Sequence, residues 1–256
     1  MQYGPDAMVF DLDGVITFTA RVHAAAWKEL FDGFLAERAA RFHEPFREFT
    51  MQDYLNYVDG KPRYDGVASF LASRDISIPY GKPSDPASAE TVCGLGNRKD
   101  NLFTNKVREQ GVDVDHEAVR FVRELRDHGV RIGLASSSRN AVPIVQQAGI
   151  RNLFDGIVDG VVSDNLKLRG KPEPDIFLQC LAQLIPHANP SRAGIAEDAI
   201  AGVAAGRKGR FGLVLGVDRS NSGTLSANGA NWVINDFSRI TADQVIAFFA
   251  DRTRAA

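Results

Sequence analysis

Short apolar runs, each closed by a polar cluster, recur along this chain. Ala7–Phe10 stops at Asp11-Leu12-Asp13-Gly14, Val130–Ala135 at Ser136-Ser137-Ser138, and Ala193–Ala196 at Glu197-Asp198. Gly156–Val162 and Phe211–Val217 complete a set of five. Runs of this length bounded by turn residues predict buried strands. Helical spacing lies between them. Ala118, Phe121, Val122 and Leu125 repeat at i, i+3, i+4 and i+7, and Gly129 follows as a stop signal. Pro174–Leu184 and Ala199–Lys208 also read as helices, and Thr241 with Gln244 makes a capping box ahead of Val245–Phe249. Strands alternating with helices predict a parallel sheet with right-handed crossovers. Ligands bind such sheets beyond the carboxyl ends of the strands. Asp11, Asp13, Ser136, Glu197 and Asp198 are therefore expected to meet at one edge of the sheet.

Residues 20–112 break the alternation. Trp27, Leu30, Phe31 and Phe34 form an apolar helical stripe. Met51–Leu71 reads as helix on both sides of a polar interruption, Asp59-Gly60-Lys61-Pro62-Arg63. Ile78–Leu95, rich in Pro, Gly and Ser, reads as a loop. The stretch 20–112 is expected to be a small helical domain inserted into a core made of 1–19 and 113–256. The crossings near Thr19 and Gly111–Asp115 would act as hinges.

Composition narrows the function classes. A chain of 256 residues suits one large domain or a core with a smaller companion. An apolar share of 44% and a charged share of 24% exclude a disordered chain. Thirty Lys and Arg against 32 Asp and Glu leave a net charge of −2, which argues against nucleic-acid binding. Two cysteines, Cys93 and Cys180, supply neither a disulfide framework nor a zinc spacing. No apolar run approaches a membrane span. Met1–Asp6 is polar and leads straight into the first strand, so no signal peptide, a cytoplasmic location and no membrane partner are expected.

The polar clusters carry the candidate chemistry. Asp11 and Asp13 sit two apart after a strand and before Gly14; they read either as a polar turn or as a carboxylate nucleophile beside a carboxylic acid/base. A carboxylate is a weak nucleophile, so its electrophile must be positioned and neutralised, and a phosphoryl group held by Mg2+ meets that need. Glu197-Asp198 reads as helix N-terminal charge or as a further hard-oxygen ligand, a set that favours Mg2+ over zinc. Ser136 reads as a helix N-cap, a position that can also bind phosphate through free amides. Lys171, fixed by Pro172, is either a solvated surface charge or the cation that balances these groups.

These residues resemble the haloacid-dehalogenase superfamily of phosphotransferases. Its four motifs appear in order as Phe10-Asp11-Leu12-Asp13-Gly14-Val15, Leu134-Ala135-Ser136, Lys171-Pro172-Glu173-Pro174-Asp175 and Glu197-Asp198-Ala199. The detail is similar to the β-phosphoglucomutase-like family, through Asp11–Thr17 with Thr19, His23 and Ala26-Trp27-Lys28, and through Ala135-Ser136-Ser137-Ser138-Arg139-Asn140. The resemblance implies an α/β fold: a Rossmann-like core with a mainly parallel sheet, plus a small inserted α-helical cap domain. It implies Asp11 as nucleophile, Asp13 as acid/base, and Ser136 and Lys171 as grips on the phosphoryl group. Mg2+ would be held by Asp11, the Asp13 carbonyl and Asp198, with Glu197 adjacent. Thr19 matches the hinge and His23 the position that helps orient Asp13. Gly60 and Arg63 match the cap site for a second phosphate, and Lys99 a cap lysine facing the sugar. Ser137, Ser138, Arg139 and Asn140 would line the core side of that sugar-phosphate site.

The implied activity is the conversion of β-glucose 1-phosphate to glucose 6-phosphate through the 1,6-bisphosphate. The alternatives are a sugar-phosphate phosphatase of the same superfamily and a phosphorylatable signalling module without turnover. The implied partner is a small sugar phosphate, and the chain is expected to be a monomer. Three departures stand out: Phe18 replaces the usual Asp, Asp115-His116-Glu117 replaces the usual Tyr-Pro-Gly at the second hinge, and Ile78–Leu95 is longer than the usual cap segment.

Overall fold

The computed structural model describes residues 4–254, so Met1–Tyr3 of the polar start lie outside the described residues. In chain order the elements are β1 (Ala7–Phe10), α1 (Ala20–Phe42), α2 (Met51–Asp53), a π-helical turn (Tyr54–Val58), α3 (Arg63–Ser73), α4 (Val92–Gln110), α5 (His116–Asp127), β2 (Arg131–Ala135), α6 (Ala141–Gln147), β3 (Gly156–Val158), α7 (Gly160–Leu166), α8 (Asp175–Leu184), β4 (Ala193–Glu197), α9 (Ile200–Lys208), β5 (Leu213–Val217), α10 (Thr224–Ala227), β6 (Trp232–Ile234) and α11 (Ala242–Arg254). The chain forms two compact units. One holds the residues up to Phe18 and from Asp113 onward, and the other is Thr19–Val112.

The first unit is an α/β structure. Its six strands lie in the order β3-β2-β1-β4-β5-β6, and every pairing is parallel. β1, β4 and β5 are buried along their whole length, as parallel strands covered on both faces must be. Val9, Phe177, Cys180, Ile195, Val203 and Val214 belong to the core on one side. The capping box of α11 forms as read: Gln244 Oε1 accepts from the Thr241 amide at 2.9 Å, and Thr241 Oγ1 accepts from the Gln244 amide.

The pattern misled in three places. Gly156–Val162 is not one strand, because Asp159 Oδ1 accepts from the Val161 and Val162 amides and starts α7 there. The expected loop Ile78–Leu95 ends four residues early. Thr91 Oγ1 accepts from the Gly94 amide at 2.9 Å, so Val92–Leu95 form the first turn of α4. The sixth strand, Trp232–Ile234, was too short to stand out as an apolar run.

The second unit is helical. The stripe on α1 packs with Phe49, Tyr54, Val58, Val67 and Phe70 in a core rich in aromatic rings. Phe31 is its centre: fully buried, its ring lies 4.1 Å from Phe70, 5.1 Å from Phe49 and 5.3 Å from Trp27. The interruption read at 59–63 is real: the π-helical turn ends at Asp59, Gly60 has a positive φ, and Arg63 opens α3 after Pro62. No helix among the described residues is long and apolar enough to cross a membrane.

Truncating a fully buried Phe leaves a cavity worth about 3–5 kcal/mol. Phe31→Ala should destabilise the helical unit by that amount in urea unfolding. A loss under about 1 kcal/mol would show that this ring does not organise the unit.

Candidate active site

The sheet order places the site. The chain leaves β1 toward β2 and β3, then returns to pair β4 on the other flank of β1. A reversal of this kind opens a crevice beyond the carboxyl ends of the two strands beside it. Register brings the polar ends level, since Phe10 lies opposite both Leu134 and Ala196. The next residue, Asp11, donates its amide to the Ala196 carbonyl at 2.9 Å. Asp11, Ser136, Glu197 and Asp198 thus share one edge of the sheet.

At its centre is a buried chain of charges. Asp11 is 6% exposed, Lys171 3% and Glu197 0%. Asp11 Oδ1 accepts from Lys171 Nζ at 2.6 Å, and Asp11 Oδ2 accepts from the Asp13 amide at 2.9 Å. Lys171 Nζ also donates to Glu197 Oε1, and it lies 4.9 Å from the centre of the Phe177 ring. Glu197 Oε2 accepts from the Ala199 amide at 2.7 Å. Gly202 on α9 leaves the space for this carboxylate, for a Cβ there would fall 1.7 Å from Oε1.

The charges act on one another unequally. Burial pushes the Asp11 carboxyl up to about 8; Lys171 opposes the rise, and Glu197 and Asp13 add to it. Burial also works against the Lys171 ammonium, but Asp11 and Glu197 together outweigh it and hold its pKa above the ordinary lysine range. Lysine has two opposite charges beside it, whereas Asp11 has one opposite and two like.

When Asp11 is ionised, two carboxylates face one ammonium, and that excess negative charge favours a cation. Among the described residues, no group of three or more His, Cys, Asp or Glu side chains is arranged to hold a metal. Asp198 lies against Gly14, where φ is +90° and a Cβ would fall 1.7 Å from Asp198 Oδ2. The donors that would hold it are the Asp11 and Asp198 carboxylates and the Asp13 backbone carbonyl. Few carboxylates, completed by water and phosphate oxygens, suit Mg2+. Glu197 has both oxygens engaged by Lys171 and Ala199, so its place is behind the lysine.

Ser136 is 1% exposed, and its hydroxyl lies 3.4 Å from Asp13 Oδ2, a long approach. It is not the N-cap expected from the sequence. Its Oγ accepts from the Ser138 amide at 3.1 Å in a turn through Ser137, and α6 begins only at Ala141. Ser138 Oγ accepts from the Asn140 amide at 3.2 Å. Arg139 pairs with Asp164 on α7 in an exposed contact.

In the helical unit, His23 and Lys99 come together. The His23 ring stacks on Phe103 at 3.9 Å, and Lys99 Nζ donates to His23 Nδ1. Lys99 is 5% exposed, with its ammonium 5.1 Å from the Trp27 ring and 4.8 Å from Phe103. Thr19 is buried and precedes α1, and its carbonyl accepts from the His23 amide. Arg63, at the start of α3 and shortly after Gly60, pairs with Asp100 at 2.8 Å.

A family model described as haloacid dehalogenase-like hydrolase matches residues 5–210. The chain belongs to that family. A β-phosphoglucomutase of Mycobacterium tuberculosis is 43% identical over 239 residues, which are 91% of this chain and 90% of that protein. A β-phosphoglucomutase of Bacillus subtilis is 32% identical over 199 residues, 78% and 77% of the two chains. The crystal structure of a Clostridium difficile β-phosphoglucomutase superposes with a TM-score of 0.77 at 23% identity, covering 97% of this chain and 99% of that one. This haloacid dehalogenase-like protein is therefore an enzyme, a mutase or a phosphatase, with the α/β fold of its family.

The raised Asp11 carboxyl has a measurable consequence. A group whose pKa is higher folded than unfolded costs stability as pH rises from the unfolded to the folded value. In metal-free protein, Asp11 should therefore titrate above the usual carboxylate range in carbon-13 NMR, and its cost to stability should grow from about pH 4 upward. Titration in the ordinary range would show that Lys171 outweighs burial.

Proposed function

We propose that this enzyme is a phosphomutase of the β-phosphoglucomutase type, interconverting β-glucose 1-phosphate and glucose 6-phosphate through an aspartyl phosphate on Asp11. The observation that carries the reading is the buried Asp11 carboxylate, gripped by a lysine that Glu197 fixes from behind, with a second carboxylate two residues on. The 43% identity to a β-phosphoglucomutase over nine-tenths of both chains supports the same substrate class.

The residues divide the work as follows. Asp11 attacks the phosphorus, and the bond from phosphorus to the sugar oxygen breaks. The sugar oxygen leaves with its electron pair and takes a proton from Asp13. In the other half of the cycle, Asp13 accepts a proton from the second sugar hydroxyl. That oxygen attacks the aspartyl phosphate, and the bond from phosphorus to Asp11 breaks. Lys171 and Ser136 stabilise the oxygens of the transferring group. Mg2+, held by Asp11, Asp198 and the Asp13 carbonyl, would neutralise phosphate charge and keep Asp11 ionised. His23 and Lys99 would face the sugar. Arg63 with Gly60 on the helical side, and Ser137, Ser138, Arg139 and Asn140 on the core side, would hold the phosphate that stays. For Arg139 this means exchanging Asp164 for phosphate. Thr19, the first residue of the helical unit, would act as the hinge of that unit, the cap. Its closure would exclude water from the acyl phosphate.

Phosphorus NMR with Mg2+, β-glucose 1-phosphate and a trace of the 1,6-bisphosphate tests the reading. Glucose 6-phosphate with little free phosphate is expected. Free phosphate alone would make the enzyme a phosphatase. Asp11→Asn should abolish turnover in either case, and retained turnover would remove Asp11 as nucleophile.

A further inference from the structure

Arg219 follows β5 and joins three segments of the first unit. Its Nε donates to the Gly14 carbonyl at 3.0 Å, and its Nη2 donates to the Val15 carbonyl at 3.3 Å and to Asp115 Oδ2 at 2.6 Å. Its guanidinium carbon lies 4.7 Å from the centre of the Phe18 ring. Asp115, 5% exposed at the side chain, uses its other oxygen to accept from the Glu117 and Ala118 amides at the start of α5. Its own amide donates to the Ile16 carbonyl at 2.9 Å.

These contacts converge on the turn that carries Asp13. The turn is closed by the Gly14 amide donating to the Thr17 carbonyl at 2.7 Å and the Thr17 amide donating to the Leu12 carbonyl at 3.0 Å. It is tied to the returning chain by the Thr17–Val114 bridge and by the Phe18 amide on the Asp113 carbonyl. Arg219 therefore binds the residues immediately after Asp13 to the residue that caps α5. The contacts need a guanidinium. Its planar fork reaches two carbonyls and a carboxylate while its face covers a ring, which an ammonium cannot do together.

We propose that Arg219 is a positioning residue for the acid/base carboxylate. It fixes the backbone of Gly14 and Val15 and so sets where Asp13 stands relative to the leaving oxygen. The proposal rests on Asp13 as the acid/base of the proposed phosphotransfer, and two phosphoryl donors separate the two claims. With acetyl phosphate, an Asp11 oxygen bonds to phosphorus, the bond to the acetyl oxygen breaks, and acetate leaves with its electron pair and needs no proton. With a sugar phosphate, the departing oxygen needs the proton of Asp13.

The experiment compares wild type, Arg219→Ala and Arg219→Lys in Mg2+. It follows phosphorylation by acetyl phosphate by intact mass, and sugar-phosphate turnover by kcat and KM. Arg219→Ala is expected to be phosphorylated within about threefold of the wild-type rate while its kcat on the sugar phosphate falls about 10²-fold, with KM little changed, the scale of one acid/base contribution. Arg219→Lys, keeping one ion pair with Asp115, should recover about tenfold of that loss. Sugar-phosphate turnover of Arg219→Ala near the wild-type value would overturn the proposal. So would an equal fall with both donors, which marks a purely structural role. A wild-type enzyme that takes no phosphoryl group from acetyl phosphate would instead overturn the phosphotransfer reading itself.

Discussion

One buried ammonium holds the site together. Lys171 lies between Asp11 and Glu197, and all three are withdrawn from water. Taking such charges out of solvent costs about as much as their attraction returns, so the arrangement contributes little to net stability. What it supplies is definition. Glu197 is fixed by the Ala199 amide and by the space above Gly202. Lys171 is fixed by Glu197, and the Asp11 carboxylate by Lys171 and the Asp13 amide. A weak nucleophile becomes useful when its position and the charge around it are set in advance. Burial pushes the Asp11 carboxyl up to about 8, so the fold disfavours its ionised form, which a bound cation would restore.

The fold serves this arrangement through register. Parallel pairing sets the ends of β1, β2 and β4 level, so residues more than a hundred positions apart emerge together. Gly14 has no side chain, and Asp198 lies in the space a Cβ would take. Arg219 adds a restraint at the turn after β1, where the chain is about to leave for the helical unit. Phe18, which departs from the family's usual Asp, provides the ring on which that guanidinium lies.

Most of the site was legible in the sequence because the strand-end rule is physical: polar residues after buried strands have nowhere else to go. The rule found Asp11, Asp13, Ser136, Glu197 and Asp198. Applied equally to Phe211–Val217, it would have found Asp218 and Arg219 as well. Hydrogen bonds decide what periodicity cannot. Asp159 turned half of an apparent strand into helix, and Thr91 began α4 inside an apparent loop. Ser136 looked like an N-cap, but its hydroxyl serves a serine turn and the helix starts later. The pairing of Arg139 with Asp164, and of Arg63 with Asp100, was invisible because ion pairs between residues far apart in sequence leave no pattern along a chain.

The account turns on a phosphoryl group reaching Asp11. The most direct measurement is to quench the enzyme in acid during turnover with a sugar bisphosphate, reduce it with borohydride, and map the modified peptide by mass spectrometry. An aspartyl phosphate is reduced to homoserine, and the account predicts that conversion at position 11 and nowhere else. Conversion at another carboxylate, or phosphate retained on a serine or histidine, would contradict it.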